Sequence, residues 1–140
     1  MTSIDGTDEV LGERECRRLL GAGGIGRVAY TSGALPAVQP VAYAMRDDAV
    51  IFPTRAGGSF AHSVRGAVLA FEVDAYDRTT GRGWSVTVVG RSHVAPASRS
   101  MAAAAADVWL VVIQVRLITG RRSTLPPWGQ LPASPEPARS

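Results

Sequence analysis

From Ile25 onward the chain alternates apolar and polar residues, and turn-forming residues break that alternation at short intervals. A period of two places successive side chains on opposite faces, so such segments form half-buried strands and not helices. Six strands follow, over residues 25–31, 37–45, 49–54, 67–73, 84–94 and 109–117. In the fourth, Ala67, Leu69, Phe71 and Val73 share a face. In the fifth, Trp84, Val86, Val88, Gly90 and Val94 alternate with Ser85, Thr87, Arg91 and His93. Turn signals at Ser32-Gly33-Ala34-Leu35-Pro36, Asp47-Asp48 and Thr80-Gly81-Arg82-Gly83 separate strands. Connections this short leave no room for a crossover helix between every pair, which argues against a doubly wound parallel sheet. The pattern predicts a mainly β protein: a six-stranded antiparallel barrel with a few short helices.

Helical periodicity occurs at two places. Over residues 11–20, Leu11, Cys16, Leu19 and Leu20 share a face while Glu13, Arg14, Arg17 and Arg18 face water. Gly12 and Glu15 have the spacing of a weak capping box. Residues 98–107 read as a second helix because of the alanine run at 102–106. Gly21, Gly23, Gly24 and Gly26 end the first helix. They read as a turn and not as a nucleotide loop, because no strand precedes them and no Gly-Lys-Ser/Thr follows.

At 140 residues the chain fits one domain with an ordinary globular composition. Residues 1–10 read as a flexible N-terminus, 11–123 as the domain, and 124–140 as a proline-rich mobile tail in which Trp128 has the bulk to dock locally. A single cysteine, Cys16, excludes a disulfide framework, and His62 and His93 lie too far apart in sequence for a helical metal motif. The N-terminal Asp5, Asp8 and Glu9 do not suit a signal peptide. The most apolar stretch, residues 108–113, falls far short of the roughly 20 residues that span a bilayer. These features lead to the expectation of a soluble, cytoplasmic protein without a membrane contact. All the basic residues are arginine, and they are spread along the chain. Nucleic acid is therefore not an expected partner. Any anion site must use guanidinium groups, hydroxyls or backbone N–H groups.

The segment Ile51-Phe52-Pro53-Thr54-Arg55-Ala56-Gly57-Gly58-Ser59-Phe60-Ala61-His62-Ser63-Val64-Arg65-Gly66 is such a candidate. A strand ends at Pro53-Thr54, a glycine loop follows, and a short helix starts near Ser59 and stops at Gly66. The glycines let the backbone approach an anion. Thr54 and Ser59 donate hydrogen bonds, Arg55 or Arg65 supplies charge, and the helix start adds its positive end. A plain loop with Ser59 as an N-cap is the competing reading.

The order of these pieces resembles the pyridoxamine 5′-phosphate oxidase-like, FMN-binding split-barrel family, in its short actinobacterial-type form. The matching residues are Leu11-Gly12, Glu15-Cys16 and Leu19-Leu20, then Gly26-Arg27-Val28-Ala29-Tyr30 and Leu35-Pro36-Ala37-Val38 with Pro40-Val41 and Tyr43. Val50-Ile51-Phe52, Thr54, Gly57-Gly58 and Ser59 come next, followed by Ala70-Phe71-Glu72-Val73-Asp74, Gly83-Trp84-Ser85-Val86, Val88, Gly90 and Ile118-Thr119-Gly120-Arg121-Arg122. The resemblance implies a Greek-key split barrel forming a homodimer with two flavin sites at the subunit interface. It implies that Thr54 and Ser59, in the loop with Arg55 and Gly58, contact the cofactor phosphate. It sets the backbone of Pro40, Val41 and Ala42, with Tyr43, along the isoalloxazine ring, and Trp84 near the dimer interface or the flavin. Barrel core is the alternative for Tyr43 and Trp84. Two positions depart from the family pattern: Phe60 stands where lysine or arginine is usual, and Pro53 where a basic or polar residue is common.

The implied activity is an FMN- or deazaflavin F420-dependent oxidoreductase that moves a hydride to a small organic substrate, with NAD(P)H as a candidate reductant. No nucleophile, carboxylate pair or Cys–His arrangement competes with it. His62 either borders the substrate pocket as a proton donor or faces solvent. The Phe60 departure keeps two further readings open. One is a dimer that binds a cofactor or small ligand without turnover; the other is a flavin-independent enzyme of specialised metabolism reusing the cleft. Pyridoxamine phosphate itself is not the expected substrate, because no C-terminal substrate-binding extension is recognisable.

Overall fold

The structure is a computed structural model of the chain, and it describes residues 8–96, 107–126 and 137–138. The elements in order are β1 (Glu9–Val10), α1 (Glu13–Gly21), β2 (Gly24–Ser32), β3 (Leu35–Arg46), β4 (Ala49–Arg55), α2 (Ser59–Val64), β5 (Val68–Tyr76), β6 (Arg82–Pro96), β7 (Val108–Gln114) and β8 (Leu117–Thr124). Every strand pairing is antiparallel.

The strands close into a ring. β2 pairs with β3 and β5, β3 with β4, β4 with β7, β7 with β6, and β6 with β5. That ring is the expected six-stranded split barrel, but it does not use the expected six segments. The segment 109–117 divides into β7 and the start of β8, and β8 leaves the ring to pair with the first half of β6. β1 then pairs with β8 through Glu9↔Arg122 and Val10↔Arg121, so part of the expected flexible N-terminus is strand. No typical turn residue stands between β7 and β8, which are joined by Val115 and Arg116. The turn is held by tertiary bonds instead: Val115 N–H donates to the Asp48 carbonyl at 3.2 Å and Arg116 N–H to the Val89 carbonyl at 3.0 Å.

β6 serves two sheets. Its residues Arg82–Val89 face β8, and Ser92–Pro96 face β7. Gly90 sits at the change of partner, where a Cβ would overlap the Gln114 carbonyl oxygen. A glycine is the residue that allows such an approach at a barrel corner.

Inward residues of each strand fill the barrel: Val28, Val50, Phe52, Leu69, Phe71, Val86, Val88, Val111 and Ile113 are all buried. Phe71 lies where a side chain on Gly26 would stand. α1 closes one end through buried Cys16 and Leu20. Gly12 caps α1 without a side-chain bond, so the capping box does not form. Glu15 pairs instead with Arg18 at 2.7 Å and Arg122 at 3.2 Å. α2 lies on the crossover from β4 to β5 and buries Ala61 and Val64. Its N-cap is Gly58, not Ser59. Gly66, at φ +65°, takes the left-handed position just beyond its end. Buried Ser92 fixes the segment that follows: its hydroxyl donates to the Val64 carbonyl and accepts from Ala67 N–H at 3.1 Å.

The helix expected over 98–107 lies outside the described residues except for Asp107, and Trp128 also lies outside them. Thr124, assigned to the tail by sequence, ends β8 opposite Arg82. Among the described residues, no helix is long and apolar enough to cross a membrane.

Candidate functional site

The ring is split between β3 and β4. These strands pair only at Ala44↔Ile51, Met45↔Val50 and Arg46↔Ala49. Beyond Ile51, β4 turns toward β7, while β3 continues along β2 alone. Proline has no N–H to give to a ladder, and Pro40 and Pro53 stand on the two sides of the opening. The gap holds a groove of about 550 Å³ lined by Gln39, Pro40, Val41, Ala42, Pro53, Thr54, Arg55, Gly58, Ser59, Phe60 and Ala61. This volume suits a cofactor or drug-sized ligand.

Seven sequence-selected residues meet in this groove: Pro40, Val41 and Ala42 on the β3 side, and Thr54, Arg55, Gly58 and Ser59 on the other. The local reason is the loop. Gly57 has φ +80°, which turns the chain sharply from the end of β4 into α2 and brings Ser59 back beside Thr54. Ala56 N–H donates to the Asp107 carbonyl at 2.6 Å and fixes the loop's base. Arg55 is exposed and forms no ion pair among the described residues. The other cation considered, Arg65, lies over the Trp109 ring, 5.5 Å from its centroid. Among the described residues the groove therefore offers one guanidinium without an ion pair and two hydroxyls, a donor set for an oxyanion. α2 has only six residues, so these side chains and not a helix dipole supply the attraction.

Phe60 does two things. It lines the groove, and its ring packs edge-on to Tyr30 at 5.1 Å and stacks on Phe52 at 6.2 Å. The position at which the family resemblance implies a basic residue thus joins an aromatic cluster continuous with the core.

Three selected residues lie elsewhere. Tyr43 is buried; its hydroxyl donates to the Leu20 carbonyl at 2.8 Å and its ring packs on Phe71 at 4.7 Å. Burial raises its phenol pKa. Tyr43 thus ties the end of α1 to the barrel. Trp84 is half-buried on β6, between Ala75 of β5 and Arg122 of β8. His62 is exposed on α2, its ring 6.5 Å from that of Trp109, and it is not among the groove residues. Sequence reasoning passed over Gln39 and Ala61. Gln39 shares the inward parity of Val41 and Tyr43 on β3, so a polar residue on an inner face was the signal available. Among the described residues, no group of three or more His, Cys, Asp or Glu is placed to hold a metal.

Residues 12–122 match the family model described as pyridoxamine 5′-phosphate oxidase. An uncharacterised protein of Mycobacterium tuberculosis is 41% identical over 81 residues, covering 54% of this chain and 53% of that protein, so the match spans about half of that relative. A FAD-binding protein from Mycobacterium smegmatis has a similar structure, with a TM-score of 0.68 and 25% identity over 82% of this chain and 97% of that one. A FAD-binding protein from Mesorhizobium loti shares the fold with a TM-score of 0.72 and 22% identity, over 84% of this chain and 99% of that one. With the ring of strands and the family match covering the same residues, the chain belongs to the pyridoxamine 5′-phosphate oxidase-like family of flavin-binding split barrels.

Proposed function

We propose that the protein is a flavin-dependent oxidoreductase that binds its cofactor in the β3–β4 groove and transfers a hydride to a small organic substrate. The observation that carries this reading is the convergence of Arg55, which forms no ion pair among the described residues, with Thr54 and Ser59 at one side of a groove whose other side is Pro40, Val41 and Ala42. Arg55, Thr54 and Ser59 would hold the flavin phosphate. Pro40, Val41 and Ala42 would bear against the ring system with a mostly apolar wall. When bound, the flavin supplies the hydride chemistry. The residues of the chain hold the phosphate, orient the ring and exclude water from one of its faces. FMN is the cofactor the groove fits most simply, since one free cation serves one phosphate. The FAD-binding relative at 25% identity supports a flavin more generally. Deazaflavin F420 is the alternative.

The protein acts as a homodimer in this reading. The outer side of the sheet exposes Ile25, Val38, Val68 and Leu117 at 69%, 66%, 60% and 56%. A monomer seldom leaves that much apolar side chain on one face.

A non-catalytic flavin carrier is favoured by one observation: among the described residues, Arg55 is the one titratable side chain lining the groove, so no described residue places an acid or base there. Anaerobic addition of NADPH to flavin-loaded protein separates the two. Bleaching of the flavin band, with recovery when an acceptor is added, is the outcome expected of the oxidoreductase. A band that NADPH, NADH and dithionite-reduced carriers all leave unreduced under turnover conditions would assign the carrier role.

A further inference from the structure

Among the described residues, Arg55 is the one cationic side chain that lines the groove. The charged groups on the neighbouring elements do not add to it. On β2, Arg27 stands opposite Pro40, but its guanidinium reaches Glu72 at 3.2 Å and Asp74 at 3.3 Å, so two carboxylates already share it. On α2, Arg65 lies over the Trp109 ring and His62 is exposed beside that ring, and neither lines the groove. Ahead of β7, the Asp107 carbonyl accepts from Ala56 N–H at 2.6 Å, so the residue that holds the loop's base is an acid. Phe60 lines the groove at the position where the family resemblance implies a second cation. The remaining donors are neutral: the hydroxyls of Thr54 and Ser59, and the half-buried amide of Gln39.

The charge of a phosphate depends on its esters. A phosphomonoester such as the end of FMN loses its second proton near pH 6 and is mostly a dianion at neutral pH. A phosphodiester carries a single charge. Resting on the flavin reading of this groove, we infer that the site is matched to a singly charged phosphate, and that it prefers a flavin or deazaflavin whose phosphate is esterified on both sides to FMN itself. Arg55 serves one phosphate but answers only one of the two charges on a monoester. The second charge would leave water for a wall of proline, valine, alanine and phenylalanine, where an ion without a partner is strongly penalised. Hydroxyls and an amide solvate a charge but do not cancel it. On a diester the same oxygen carries a carbon substituent instead, and the Phe60 ring, held by Tyr30 and Phe52, offers it apolar contact. FAD and F420 both have this chemistry, since each of their phosphates carries one charge.

Equilibrium titrations with paired ligands test this. Riboflavin 5′-methylphosphate has the ring of FMN and a singly charged phosphate. At pH 7.5 FMN holds about thirty dianions for each monoanion, and the methyl ester is expected to bind about tenfold more tightly. From pH 7.5 down to pH 5.5 the affinity for FMN rises about tenfold, while that for the methyl ester stays level. Protonation of His62 acts on both ligands alike, so the difference between the two profiles belongs to the second proton of FMN. Parallel profiles, or tighter binding of FMN at pH 7.5, overturn the inference. Phe60→Lys supplies the second cation and is expected to abolish the preference for the methyl ester; a preference that survives shows that charge is not its cause and also overturns the inference. FAD and F420 at pH 7.5 distinguish the sources of the diester: the one that binds more tightly than FMN is the source, and FMN binding more tightly than both overturns the inference. If FMN and its methyl ester bind equally at every pH, the flavin reading stands and the inference alone falls. If none of the four binds, the flavin reading falls and takes the inference with it.

Discussion

Phe60 shows how a single side chain sets the character of the site. In a groove otherwise arranged for an oxyanion, its ring lies between Tyr30 and Phe52 and continues the core to the groove wall. Phe60→Lys exchanges that packing for a charge. A lysine stem follows the apolar wall while its ammonium reaches the groove, so FMN affinity rises about tenfold. The lost aromatic contacts lower stability by about 1–3 kcal/mol. Calorimetry and a flavin titration on the same sample check both, and unchanged affinity would show that residue 60 does not face the phosphate. Sequence made the loop legible because its residues have local causes. Gly57 and Gly58 signal a turn, Thr54 and Ser59 carry hydroxyls, and Arg55 carries charge. Tyr43 was less legible. The family resemblance set it along the flavin ring with barrel core as the alternative; its burial and its hydroxyl bond to Leu20, far away in sequence, put it in the core cluster.

Among the elements, β6 does the most to shape the barrel. It pairs with three strands, and it changes from β8 to β7 at Gly90. Gly90→Ala drives a methyl into the Gln114 carbonyl. Backbone must move, and the cost is about 1–3 kcal/mol, read as a lowered denaturation midpoint. A wild-type midpoint would show that the corner is loose. A milder case is Gly120 on β8, whose added Cβ would stand 2.6 Å from the Cys16 sulfur and push α1 away. Ring strands with strict alternation were legible from sequence almost to their ends. β1 and β8 were not, for physical reasons. β1 is two residues long and exists only because β8 offers it an edge. β8 carries Gly120 and Arg122 where an alternating pattern expects apolar residues. The turn before it depends on bonds to Asp48 and Val89, which local sequence cannot announce.

For the whole molecule, the outer sheet face ties stability to pH. Burial and the neighbouring Asp74 raise the Glu72 carboxyl from 4.5 to about 7, against the opposing pull of Arg27. A carboxyl whose folded pKa lies above its unfolded value stabilises most in its protonated form. Its contribution is full below about pH 4.5 and is lost as pH rises through about 7. Glu72→Gln, which keeps the neutral shape, should therefore match the wild type in melting temperature at pH 5 and exceed it at pH 8. A constant difference across that range would show that Glu72 titrates normally. The central claim, that the β3–β4 groove is a flavin site anchored by Arg55, is tested most directly by equilibrium titration of the purified protein with FMN, FAD and F420. Absorption at about 450 nm for the flavins and about 420 nm for F420 reports binding. The expected result is saturable binding of FMN by the wild-type protein and an affinity about tenfold weaker for Arg55→Ala. Binding of none of the three, or equal affinity in the two proteins, would contradict it.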